Sequence, residues 1–216
     1  AKYSVAVSSG TAALHLSLKA LNINKNDEIL IPTLNYIASA NATIYCDAVP
    51  HFVDIEKKTL GVDCKKLKNY LIKNKFLKNN KTYNKNTKRL IRAIIPTHMF
   101  GHPVNMIELK KVAKKFNLLV VEDASEALGS YYNGKHLGTF GLIGVISFNG
   151  NKIITTGGGG AILTNSKKIS EKIKLISTNA REPHVWEYKY NELGYNYKMP
   201  SLNANLGISQ MKKLKN

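Results

Sequence analysis

The chain has 216 residues, 44% of them hydrophobic, and a formal net charge of +18. That length supports one well-buried domain and does not demand two. No run approaches the roughly 18 uninterrupted apolar residues of a membrane span. No charged-then-apolar leader pattern opens the sequence, and Cys46 and Cys64 lack metal-ligand spacing and suit a reducing compartment, so a cytoplasmic location is expected. Much of the positive charge falls in a Lys/Asn-rich stretch, residues 73–89, which holds no acidic residue and reads as a solvated insertion or a compositional habit of the source. Its basic residues are not interleaved with aromatics as a base-stacking platform would be, which argues against nucleic-acid binding. A basic surface instead favours a small anionic substrate by steering it.

Strands and helices alternate along the chain. Tyr3 to Val7 reads as a short apolar strand, and Thr11 to Leu21 as a helix with Leu14, Leu18 and Leu21 at helical spacing. Glu28 to Ile31 predicts a strand, Tyr36 to Cys46 a helix, Pro50 to Val53 a strand and Val62 to Lys73 a helix. Ile91 to Pro96 predicts a strand, Met106 to Phe116 a helix and Leu118 to Glu122 a strand. Val145 to Phe148 and Gly160 to Leu163 are short strands, Ser166 to Ser177 is a helix, and Leu202 to Leu214 is amphipathic. This order predicts an α/β fold: a mostly parallel central sheet with helices on both faces. Ligands bind such sheets beyond the carboxyl ends of the strands.

Three segments could carry chemistry there. Ser8-Ser9-Gly10-Thr11-Ala12-Ala13-Leu14 passes from strand through a small-residue turn into a helix. Unpaired N–H groups at a helix start attract an anion, and glycine lets the backbone approach a phosphate, although an ordinary N-cap has the same composition. Leu119-Val120-Val121-Glu122-Asp123-Ala124-Ser125-Glu126 places Asp123 at the end of an apolar strand, as a binding-site carboxylate, a helix cap or a metal-free structural carboxylate. Ser147-Phe148-Asn149-Gly150-Asn151-Lys152 precedes the run Gly157-Gly158-Gly159-Gly160, which matches neither the dinucleotide fingerprint nor the P-loop. Taken alone, Lys152 reads as one surface lysine among many.

Taken in order, a phosphate turn, a strand-end aspartate and a lysine 29 residues later beside a serine resemble the large domain of fold-type I enzymes that use pyridoxal 5'-phosphate (PLP). More closely, the chain resembles the DegT-type sugar aminotransferases. Further matching segments are Ile31-Pro32-Thr33-Leu34-Asn35-Tyr36, Pro50-His51-Phe52-Val53-Asp54, Pro96-Thr97-His98-Met99-Phe100-Gly101 and Gly194-Tyr195-Asn196-Tyr197-Lys198-Met199-Pro200. The resemblance implies that Lys152 holds PLP as a Schiff base and that Asp123 pairs with the pyridinium nitrogen. It implies that Tyr36 stacks on the ring, that Gly10, Thr11 and Ser147 bind the phosphate, and that Glu126 lies beside the phenolic oxygen. Asn196 falls where the family reaches the phosphate of a neighbouring subunit, which implies a homodimer.

The sequence departs from the common pattern at Glu126, where many members have Gln or His, at Gly158, where a Glu is frequent, and at Lys198, where Arg is usual. The first two resemble the branch that makes 4-amino nucleotide sugars of the legionaminic acid or perosamine type. The implied substrates are a keto nucleotide sugar and an amino-acid donor, glutamate being expected. The resemblance also implies that residues 1–216 are an incomplete PLP-binding large domain, without an amino-terminal segment and a carboxyl-terminal small domain. Two alternatives accompany this reading: a truncated, non-catalytic PLP-fold fragment, and a PLP-dependent sugar dehydratase relative, against which Lys152 argues because that relative carries histidine there.

Overall fold

The computed structural model describes residues 1–182 and 184–214. In chain order the elements are β1 (Tyr3–Val7), α1 (Gly10–Ala20), β2 (Glu28–Pro32), α2 (Ala38–Ile44), β3 (Val49–Val53), α3 (Cys64–Asn74), β4 (Lys75–Lys78), β5 (Lys81–Asn84) and β6 (Ile91–Ile94). They continue with α4 (Met106–Lys115), β7 (Leu119–Asp123), β8 (Tyr131–Tyr132), β9 (Lys135–His136), β10 (Ile143–Ser147), β11 (Gly160–Thr164), α5 (Lys167–Ile176) and α6 (Ser201–Lys213). Seven strands form one sheet in the order β1-β11-β10-β7-β6-β2-β3. The run from β10 to β3 is parallel, whereas β11 is antiparallel to both neighbours. The expected mostly parallel sheet is therefore present.

Period-two alternation along the strands builds two cores. Ile29, Ile31, Val121 and Val145 point into a layer with α1, α2 and α5, while Leu30, Ile94 and Val120 point into a layer with α3 and α4. Each buried Val, Leu or Ile contributes about 1.5–3 kcal/mol of transfer free energy. Helix α1 is buried almost all round, including Leu14, Leu16 and Leu18, because α2 and α5 flank it above the sheet. Four helices start by one device. Ser9, Asp63, Asn105 and Ser166 each accept the N–H three residues on, from Ala12, Lys66, Glu108 and Ile169.

Two expectations change. The helix expected from Tyr36 begins only at Ala38; Asn35 Nδ2 donates to Pro32 O at 2.6 Å and closes a turn that leaves Tyr36 outside the helix. The Lys/Asn-rich stretch is largely exposed, but it is also fastened to the core. Its centre is the hairpin β4–β5, in which Thr82 and Asn84 are buried. Thr82 Oγ1 donates to Phe116 O at 2.6 Å and Asn84 Nδ2 donates to Glu28 Oε2 at 2.9 Å, so the hairpin is fastened to α4 and β2. Lys78 and Lys81 are exposed at its tip, which is why composition alone reads as solvated.

Candidate active site

The turn at residues 8–9 forms because β1 stops at Val7 and α1 starts at Gly10, leaving two serines to reverse direction. Ser9 is extended and its Oγ accepts Ala12 N–H at 3.0 Å. The first-turn N–H groups of Gly10 and Thr11 have no acceptor inside the helix and sit at its positive end. A Cβ built on Gly10 would lie 3.1 Å from Ser147 Cβ and 3.3 Å from Ser125 Oγ. The turn, the end of β10 and the segment after β7 thus converge on one spot. A Cβ on Gly160 would come within 2.7 Å of Ser9 O, so β11 can pass the turn only as glycine.

Asp123 ends β7 and is 4% exposed. Its Oδ2 accepts Ser39 Oγ–H at 3.0 Å from α2, and its Oδ1 accepts Ser125 N–H at 3.2 Å. Thr97 Oγ1, beside it in the sheet, is buried and has no hydrogen-bond partner among the described residues. Buried polar atoms are rarely left so in a finished site.

Lys152 lies on the turn after β10, where its own N–H donates to Asn149 O at 3.1 Å. Its Nζ lies 3.2 Å from Glu126 Oε1, with the lysine side chain 18% exposed. The other Glu126 oxygen, Oε2, accepts Phe100 N–H at 2.9 Å. Phe100 has φ 52°, in the left-handed region. For a bulky residue that conformation costs on the order of 1–3 kcal/mol and persists only where neighbours hold it. Phe100, Ser125, Glu126, Ser147, Lys152 and Ile153 line a cleft of about 220 Å³. A larger cleft of about 750 Å³ between α6 and the β1–β11 edge is mostly apolar and has no carboxylate in its lining.

Gly10, Asp123, Glu126, Ser147 and Lys152 are therefore brought together at the carboxyl ends of β7 and β10, with Thr11 at the adjoining helix start. Tyr36 is 73% exposed on the turn leading into the helix that supplies Ser39. Asn196 is not brought to this cluster. It is exposed, while its neighbours Tyr195 and Tyr197 pack against the α1 core and stack on each other. Ser39, Ser125 and Phe100 also serve the site. Ser125 and Phe100 stood inside quoted segments without an assigned part, and Ser39 had no sequence signal, being 84 residues from Asp123.

The residues fit the group that the resemblance implies. A Cβ-free cradle beside two serine hydroxyls suits a phosphate, the strand-end carboxylate suits a cationic ring nitrogen, and the amine suits an imine link. The buried Thr97 hydroxyl is left for a further partner.

Fold and cluster together define an α/β domain that can hold an anionic, ring-bearing group against a lysine amine. The chain belongs to the DegT/DnrJ/EryC1/StrS aminotransferase family, whose model matches residues 1–216. It is 40% identical over 212 residues to a GDP-perosamine synthase of Escherichia coli O157:H7, covering 98% of this chain and 54% of that protein. It is 37% identical over 214 residues to a UDP-4-amino-4,6-dideoxy-N-acetyl-beta-L-altrosamine transaminase of Campylobacter jejuni, covering 99% of this chain and 53% of that one. Among solved structures, NtdA of Bacillus subtilis with bound cofactor PMP superimposes with a TM-score of 0.82 at 30% identity, over 98% of this chain and 44% of that chain. The chain spans about half the length of the curated relatives it matches. Among the described residues no helix is long and apolar enough to cross a membrane.

Proposed function

We propose that this chain is the PLP-binding large domain of an aminotransferase that moves an amino group from an amino acid, glutamate, to a keto nucleotide sugar at C4, for surface-glycan biosynthesis. The observation that carries the reading is the grouping of Lys152, Glu126, Ser147, Gly10 and Asp123 around one set of strand ends. The sugar and the C4 position rest on the two relatives named above, both of which make 4-amino nucleotide sugars. The amino donor, a cytoplasmic location and a homodimer belong to the same proposal. The homodimer is supported by Asn196, which is exposed between Tyr195 and Tyr197 while those two rings pack against the α1 core.

When bound, PLP would supply an electron sink that stabilises the carbanion formed at the donor's α-carbon. Gly10 and Thr11 N–H groups with the Ser147 hydroxyl would hold its phosphate. Asp123, kept in place by Ser39 and Ser125, would keep the ring nitrogen protonated. Lys152 would hold the group covalently and, once displaced by the donor, move the proton at the α-carbon, a task that contributes roughly 10²- to 10⁴-fold. Glu126 orients the Lys152 amine from the side of Phe100. The test is a mass-shift assay with a panel of 4-keto nucleotide sugars and glutamate, run on this chain and on a full-length version. A gain of an amino group in place of the keto oxygen is expected; no mass change with the full-length protein across the panel would refute the reading.

A further inference from the structure

The geometry points to Glu122 and His98 as a positioning pair for this site, set one layer beneath it. This rests on the aminotransferase reading for its consequence in catalysis, but the coupling itself is a property of the fold. Asp123 and Glu122 are adjacent on β7 and so face opposite sides of the sheet. Asp123 faces α2. Glu122 faces the other layer, is fully buried, and receives three donors. His98 Nε2 lies 3.1 Å from its Oε2, Gly138 N–H donates to the same oxygen at 2.9 Å, and Gly141 N–H donates to Oε1.

The His98 ring is also fully buried, and its tautomer follows from its neighbours. Its Nδ1 accepts Val104 N–H at 3.2 Å, so the ring proton sits on Nε2 and donates to Glu122. Its backbone N–H donates to Asp123 O at 3.0 Å. One imidazole therefore closes both ends of the 98–104 turn, and one carboxylate ties that turn to the 138–141 loop that leads into β10.

Phe100 stands inside the closed turn in its left-handed conformation, and its N–H holds Glu126 Oε2. Gly101 packs so closely on the segment after Glu126 that a Cβ would lie 3.1 Å from Glu126 O. The chain of contacts runs from Glu122 to His98, to the Phe100 amide, to Glu126 and to Lys152 Nζ. Glu122 and His98 touch no reacting atom. They set where Glu126 stands and thereby orient Lys152.

A second buried carboxylate provides the control. Glu28 is equally buried and also paired with a histidine, His51 at 2.8 Å, but it anchors the β4–β5 hairpin instead. The variants Glu122→Gln, His98→Gln and Glu28→Gln are compared with wild type by hydrogen exchange of the Phe100 amide. The PLP-loaded proteins are also titrated through their visible absorbance. Glu122→Gln and His98→Gln should each speed Phe100 exchange by about tenfold or more through local opening. They should shift the pH midpoint of the absorbance in the direction that Glu126→Gln shifts it, with no further shift when Glu122→Gln and Glu126→Gln are combined. Glu28→Gln should lower the melting temperature while moving neither readout. If one of the two site variants fails to fold, the other decides. If Phe100 exchange and the midpoint respond no more to Glu122→Gln and His98→Gln than to Glu28→Gln, the pair is only structural and the inference is wrong. A full-length wild-type protein that takes up no PLP would sink the aminotransferase reading, and Phe100 exchange would still decide the coupling.

Discussion

Two carboxylate clusters sit at different places on the same sheet and use the same chemical vocabulary. At the start of β2, Glu28 gathers His51, Asn84 and Thr87. At the end of β7, Glu122 gathers His98 and two glycine amides, with Asp123, Glu126 and Lys152 beyond it. The first cluster is saturated: its donors come from β3, from the hairpin and from the turn after it, and they close a surface loop onto the sheet. The second is layered. Its buried part is satisfied, but its outer part leaves an amine, a carboxylate and three small residues around a cleft. A buried Glu–His pair thus marks a site only where unspent groups stand next to it.

The sharpest way to break that contrast is Lys152→Ala. PLP trapped with borohydride should add no mass to the variant, activity should fall by about 10²- to 10⁴-fold or more, and the melting curve should stay near wild type. A variant that keeps the adduct would move the link to another lysine. Next, Asp123→Ala leaves the opposing charge uncompensated when the ring is bound, worth about 3 to 5 kcal/mol, so cofactor retention on dialysis should drop by more than a hundredfold. Glu28→Ala inverts the pattern. It strands three polar partners and should cost about 3 kcal/mol in denaturant melts, while PLP uptake per folded molecule is retained.

Acid unfolding should separate the regions further. Burial pushes the Glu28 carboxyl up, but hydrogen bonds from His51, Thr87 and Asn84 outweigh it and hold it below its ordinary value. A carboxyl lowered in the fold contributes stability above its unfolded pKa and loses it as pH falls through the folded value. Glu28→Gln should therefore lower the melting temperature at neutral pH and flatten the acid limb of stability against pH, so that variant and wild type converge as pH falls. The smallest effect is expected at His15, whose ring lies edge-on to Tyr45, Tyr195 and Tyr197. Burial first, and Lys19 second, lower its pKa from 6.5. Its stabilising share is present above that value and is lost as pH falls toward the folded value, so His15→Phe should remove a shallow slope of melting temperature just below pH 6.5.

The alternation of elements was legible in the sequence because strand and helix periods differ and most caps are ordinary Ser, Asp and Asn. The site was legible as an order of motifs. Lys152 alone resembled any other lysine, and only the spacing to Asp123 and the turn at Gly10 singled it out. Ser39 was not legible, since its place against Asp123 depends on how α2 lies over the sheet. The hairpin was missed for a different reason. Its anchors are Thr82 and Asn84, polar residues buried by hydrogen bonds, and hydrophobic periodicity does not register them.

The reversed strand β11 has a consequence for the order in which the molecule is made. It pairs Tyr3 with Thr164, and among the described residues β11 is the one strand that β1 pairs with, a single bridge from Val7 to Lys198 aside. The turn at Gly10 leaves the ribosome some 150 residues ahead of its wall at Gly160. At about 5–20 residues per second, that interval is on the order of ten seconds. During synthesis β1 waits without its strand partner, so chaperone capture or off-pathway pairing of nascent chains should concentrate on β1 until β11 emerges.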